Sequence, residues 1–130
     1  MKKLKILIVS DPYGKPSFAP RLRYLCNYLV AQGHQIAVYT EQFQEHDFPH
    51  AYPIIEKEMA YHTTWQWAWQ SLWSLLTDWR NRCFTMWLQQ QVADQDFDIV
   101  FCTTFSTFPL RAAEAIARSK QIPLVVDIRD

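Results

Sequence analysis

Glycine is scarce in this sequence: Gly14 and Gly33 are the only two in 130 residues. A dinucleotide site of the usual kind needs GxGxxG, and a triphosphate-cradling loop needs GxxxxGK[ST]. Neither pattern is present, so nicotinamide, flavin and P-loop roles lose their main support and no cofactor is expected. Cysteine is also sparse. Cys26, Cys83 and Cys102 are odd in number and widely spaced, which reads as reduced thiols filling a core and not as a disulfide framework or a metal site. His34, His46, His50 and His62 are scattered. They form no HExxH and no Cys–His metal spacing, and no Ser–His–Asp order appears, so no metal is expected. His34, just after a glycine, is expected to be structural or exposed. Charge of one sign is missing too: 13 basic and 13 acidic residues give a formal net charge of zero, without the basic excess a nucleic-acid partner would want. No apolar run reaches the length of a spanning helix. The amino terminus, MKKLKILIVSD, looks superficially like a signal peptide, but its apolar run covers residues 6–9 and is closed by Ser10 and Asp11, too short for a signal core.

What is present fits one globular domain with a real core. Residues 4–9 are an apolar run without polar alternation, the mark of a strand covered on both faces. A polar loop over residues 10–17 follows, broken at Asp11-Pro12 and Lys15-Pro16. Phe18, Leu22, Leu25, Cys26 and Leu29 then recur at helical spacing, with Ser17 as a capping residue and Gly33 as a left-handed stop. HQIAVYT, residues 34–40, reads as the second strand. The strand–helix–strand order makes a βαβ unit. Ile54-Ile55 is a short candidate strand. Residues 97–102 and 124–127 are further buried strands, separated by a helix whose face is Leu110, Ala113, Ile116 and Ala117. The economical fold is α/β, a Rossmann-like doubly wound parallel sheet.

Between these halves, residues 63–93 predict a long helix, broken at most once. All six tryptophans lie here, between positions 65 and 87. Trp65, Trp69, Leu72, Leu76, Trp79, Cys83 and Met86 alternate at four- and three-residue steps; Trp73, Phe84, Trp87 and Leu88 widen that face. A core-facing stripe is the default for such a pattern. The face is nevertheless wide for a domain of this size, and exposed aromatic surface marks a partner or membrane interface. Trp65, Trp69, Trp73, Trp79 and Trp87 are the candidates for that face. A surface-binding helix usually also carries many lysines; only Arg80 and Arg82 lie within this one.

Three segments should gather at the carboxyl edge of the sheet: residues 10–17, 103–108 and 127–130. In the first, a helix amino terminus can attract an anion, and Lys15, Arg21 and Arg23 serve either that anion or only solvent. In the second, TTFSTFP, the hydroxyls either contact a sugar or phosphate or cap the next helix. The third, VVDIRD, delivers Asp127, Arg129 and Asp130 to the edge. They either bind sugar hydroxyls or form an ion pair that ties the loop.

The strings KILIVSDPYG, APRLRYLCNYLVAQGHQIAVYT and FDIVFCTTFSTFPLRAAEAIARSKQIPLVVDIRD resemble the N-terminal half of retaining, GT-B-fold glycosyltransferases of family four, closest to bacterial members that build surface polysaccharides. The likeness covers roughly residues 4–42 and 96–130; the tryptophan-rich middle matches nothing specific. It implies a single Rossmann-like domain over residues 1–130 that receives the acceptor, with the C-terminal nucleotide-sugar domain absent from this chain. It also implies a glycan or lipid-linked acceptor, a nucleotide-sugar donor held mainly by the missing domain, and a cytoplasmic location, with the inner-membrane surface as a possible contact. The residues carried over are Gly14, Arg21, Arg129 and Asp130, with Asp127 beside them. Family members often have a glycine pair in the first loop, where only Gly14 matches, and many have a histidine where Arg129 stands. The rival is a non-catalytic Rossmann-like binding or assembly module using the tryptophan helix as a homodimer interface. The purified 130-residue chain is expected to turn over no nucleotide-sugar; turnover in that assay refutes the expectation that the domain is inactive alone.

Overall fold

The computed structural model describes residues 2–10, 20–41, 52–57, 64–104 and 107–128. Five strands are described: β1 (Lys5–Ser10), β2 (Gln35–Glu41), β3 (Ile54–Lys57), β4 (Ile99–Thr104) and β5 (Leu124–Ile128). They form one sheet in the order β3-β2-β1-β4-β5, and every pairing is parallel. Four helices complete the described elements: α1 (Pro20–Ala31), α2 (Thr64–Thr77), α3 (Trp79–Val92) and α4 (Thr107–Lys120). The expected α/β Rossmann-like sheet is therefore what the chain forms.

A parallel strand needs cover on both faces, and side-chain alternation divides the core in two. Leu7 and Val9 of β1 point to one side with Tyr39, Val100 and Cys102, under Phe84, Leu88 and Val92 of α3 and Ala112, Ala113 and Ile116 of α4. Ile6 and Ile8 point to the other with Ile36 and Val38, under Leu22 and Cys26 of α1. Placing α1 and α4 on opposite faces is what right-handed crossovers require when the chain leaves β1 and β4 in opposite directions. β5 is an edge strand, and its Val125, Val126 and Ile128 are exposed. Cys26 and Cys102 are buried and Cys83 partly so, all three as free thiols.

Two helices end in the same way. Gly33 has φ 90°; its N–H donates to the Val30 carbonyl at 2.9 Å and the His34 N–H to the Leu29 carbonyl at 3.1 Å. That is a Schellman cap with its glycine where expected. His34 is structural: its Nδ1 accepts from the Leu4 N–H at 3.0 Å. α4 closes likewise, the Ile122 N–H reaching the Ala117 carbonyl at 3.0 Å, but Gln121 takes the left-handed position at φ 56°.

The long helix over residues 63–93 is two. Asp78 between α2 and α3 has φ 58°, and its carboxylate accepts from the Asn81 amide and pairs with Arg111 of α4. This break resets the helical phase, so the single predicted stripe does not survive it. In α3 the buried line is Phe84, Leu88 and Val92, with Trp87 beside it, 5.6 Å from Phe84 and 6.0 Å from Tyr39 between ring centroids. Met86, expected on the main stripe, is exposed. The remaining boundary shifts are small: β1, β2 and β4 each run one or two residues further toward the carboxyl edge than their sequence patterns predict.

The two caps make opposite predictions. Gly33→Ala places a Cβ at positive φ, 3.0 Å from the Lys3 Cε, and should cost about 1 kcal/mol. Gln121→Gly should gain roughly 0.5–1 kcal/mol by relieving a left-handed non-glycine residue. Urea unfolding midpoints at constant slope are the check.

Candidate functional site

A buried hydroxyl costs about 1–3 kcal/mol unless it is hydrogen-bonded, and a carboxylate costs more, so where a fold tolerates such groups is informative. Among the described residues the buried polar side chains are Ser10, Thr40, Glu41, Thr103 and Thr104. All five stand at the carboxyl ends of β1, β2 and β4. Everything below them in those strands that is fully buried is apolar.

The register lines several of them up. Ser10 pairs with Thr103, and Thr103 with Asp127. Thr40 lies one step beyond the Val9–Tyr39 pair. By alternation, Thr40, Ser10, Thr103 and Asp127 occupy one row across β2, β1, β4 and β5, on the face that carries α1. The row beneath is apolar: Val38, Ile8, Phe101 and Val125. Within the polar row the Thr103 Oγ1 donates to the Asp127 Oδ2 at 3.1 Å, while Ser10, Thr40, Glu41, Thr104 and Asp127 each make further interactions. Thr103 is 1% exposed and Asp127 half-buried, so the row closes inward on the core and opens outward at its β5 end.

The row also crosses the point where the strand order reverses. From β1 the chain passes to β2 and β3 on one side; β4 and β5 lie on the other. In open α/β sheets the crevice outside the carboxyl ends at that point is where ligands bind. Ser10, Thr40 and Thr103 are buried, so within the row the half-buried Asp127 is the side chain open to a ligand, and a carboxylate there can accept hydrogen bonds from a polyhydroxylated one. Among the described residues no group of three His, Cys, Asp or Glu side chains comes together as a metal site.

Of the residues singled out by sequence, Asp127 is placed in this row. Gly14, Arg129 and Asp130 lie outside the described residues, as does the side chain of Arg21. Trp65, Trp69 and Trp73 are exposed, whereas Trp79 and Trp87 are half-buried. Sequence reasoning assigned Ser10, Thr103 and Thr104 to loops of the carboxyl edge and singled out neither Thr40 nor Glu41. A usable signal was there: the apolar runs at residues 6–9, 36–39 and 99–102 are each followed immediately by a hydroxyl residue, and the run at 124–126 by Asp127. A separate pocket opens at the opposite, amino-terminal end of the sheet. Its polar groups already serve the fold: the Lys5 ammonium sits 5.4 Å from the Phe97 ring centre, and the Gln95 amide donates to the Tyr39 hydroxyl at 3.2 Å.

No protein-family profile and no curated protein sequence matches the chain. Solved structures do. The chain is similar to CalG4, the calicheamicin glycosyltransferase, with a TM-score of 0.65 at 15% identity over 97% of this chain. It spans 32% of that protein's length. It is equally similar to the C-terminal domain of PF1911 hydrogenase from Pyrococcus furiosus, with a TM-score of 0.65 at 10% identity, covering 97% of this chain and 93% of that domain. At these identities the shared property is the fold: a Rossmann-like α/β domain of the kind found in a glycosyltransferase.

The Thr103–Asp127 bond yields a direct test. Thr103→Val removes the donor at nearly constant volume and should cost about 1 kcal/mol in urea unfolding. A double-mutant cycle with Asp127→Asn should return a coupling energy of at least 0.5 kcal/mol.

Proposed function

We propose that this chain is the acceptor-side domain of a glycosyltransferase, which works with a second domain that holds the nucleotide-sugar. The carrying observation is the polar row Thr40, Ser10, Thr103 and Asp127 at the carboxyl edge of the sheet. Its half-buried carboxylate, Asp127, backed by the buried Thr103 hydroxyl and set where the strand order reverses, suits a glycan acceptor in chemistry. The likeness in fold to a glycosyltransferase and the strings around APRLRYL and VVDIRD point the same way. The fold is also shared with a hydrogenase domain, so the reading rests on the row and the strings.

In this reading Asp127, steadied by Thr103, accepts hydrogen bonds from acceptor hydroxyls. Gly14, Arg21, Arg129 and Asp130, carried over from the family resemblance, would add further contacts to the substrates. The acceptor is a polysaccharide end or a lipid-linked sugar, reached from the cytoplasm.

Ligand-observed NMR on the purified chain tests this with soluble oligosaccharides and with a short-chain polyisoprenyl-phosphate sugar. One of these should bind, and Asp127→Ala should weaken it about tenfold, the equivalent of roughly 1.4 kcal/mol. Absence of binding by every acceptor, or binding indifferent to Asp127→Ala, overturns the assignment.

A further inference from the structure

We propose that the tryptophan stripe of α2 docks on the headgroup–acyl boundary of a lipid bilayer. Trp65, Trp69 and Trp73 are 78%, 67% and 54% exposed, and Leu72 and Leu76 between them are 48% and 73% exposed. At 100° per residue these five side chains fall within one sector about 100° wide, over a length of roughly 16 Å. The apolar stripe of this helix is thus turned outward. The three indoles alone present about 500 Å² if a whole tryptophan counts for roughly 250 Å². With the two leucines added, this exceeds the largest apolar patch usual on a monomer, about 300–600 Å².

The chemistry of the stripe selects its partner. α2, TWQWAWQSLWSLLT, has no charged residue in 14 positions. A protein partner is normally met by an apolar centre inside a polar rim, with about one hydrogen bond per 100–200 Å²; α2 offers no ionic rim. Each indole N–H needs an acceptor when its ring leaves water. A layer of neutral headgroups and ester carbonyls supplies acceptors in any geometry, which is why tryptophan favours that depth. No described helix is long and apolar enough to cross a membrane, so α2 would lie in the surface plane. Without cations on the helix, the attraction is apolar and not electrostatic.

The position fits a use. α2 has its principal contacts with α3, and the junction between them is held by Asp78 against Arg111 in the second turn of α4. α4 follows directly from the carboxyl end of β4, so the stripe is attached at the end of the molecule that carries the polar row. Docked on a bilayer, α2 would hold that row near a lipid-borne acceptor. This deepens the transferase reading, but its test involves no sugar chemistry.

The test is flotation of the purified chain with vesicles of phosphatidylcholine, and of phosphatidylcholine with phosphatidylglycerol, at low and high salt. The expected result is co-flotation with both, little changed by salt, with a blue shift of tryptophan emission. A Trp65→Ser, Trp69→Ser, Trp73→Ser triple variant should lose at least tenfold in partitioning while its circular dichroism stays the same. A chain that stays in solution with both vesicle types overturns the proposal. So does flotation only with the anionic vesicles and only at low salt. A non-floating dimer in sedimentation equilibrium, made monomeric by the triple variant, overturns it in favour of a second copy. Any of these failures leaves the acceptor test at Asp127 standing on its own.

Discussion

The requirement that a parallel sheet be covered on both faces organises this molecule. Leu7, Ile8 and Val9 of the central strand are fully buried and point alternately to α3–α4 and to α1. With no water on either side, a polar side chain in these strands has few places to go. The carboxyl edge is one, because the strands end there. Ser10, Thr40, Thr103 and Asp127 follow from that constraint as much as from any ligand. The same packing that excludes them from the sheet's interior aligns them where a crevice forms.

A second constraint acts through one residue. Asp78 in the left-handed conformation ends α2 and sets the phase of α3. α3 then directs Phe84, Leu88 and Val92 into the sheet, while α2 is left with its apolar side outward. A left-handed aspartate is tolerable because its short side chain bonds locally; here it meets Asn81 and Arg111. Core and surface aromatics are thereby separated within a single tryptophan-rich stretch. Trp87 joins the core, and Trp65, Trp69 and Trp73 do not.

Equal similarity to a glycosyltransferase and to a hydrogenase domain shows how little a Rossmann-like fold says about chemistry by itself. What differs between proteins sharing this sheet is the set of side chains at its carboxyl edge. Among the described residues those side chains are hydroxyls and two carboxylates, Glu41 and Asp127, and the sequence has no glycine-rich phosphate loop.

The amino-acid sequence alone determined the element order and the parallel sheet. Continuous apolar runs at residues 6–9, 99–102 and 124–126, separated by helical periodicity, leave few other ways to bury themselves. It also determined the Gly33 cap, because a positive φ is cheap only for glycine. That Asp127 stands at the carboxyl edge was legible because it closes the apolar run Leu124-Val125-Val126. The row it belongs to was not: Thr40, Ser10 and Thr103 are far apart in sequence, and only strand register makes them neighbours. The fate of the tryptophans was likewise a tertiary decision. Helical spacing says which side chains share a face, but the turn at Asp78 and the packing of α3 on the sheet decide which face is buried.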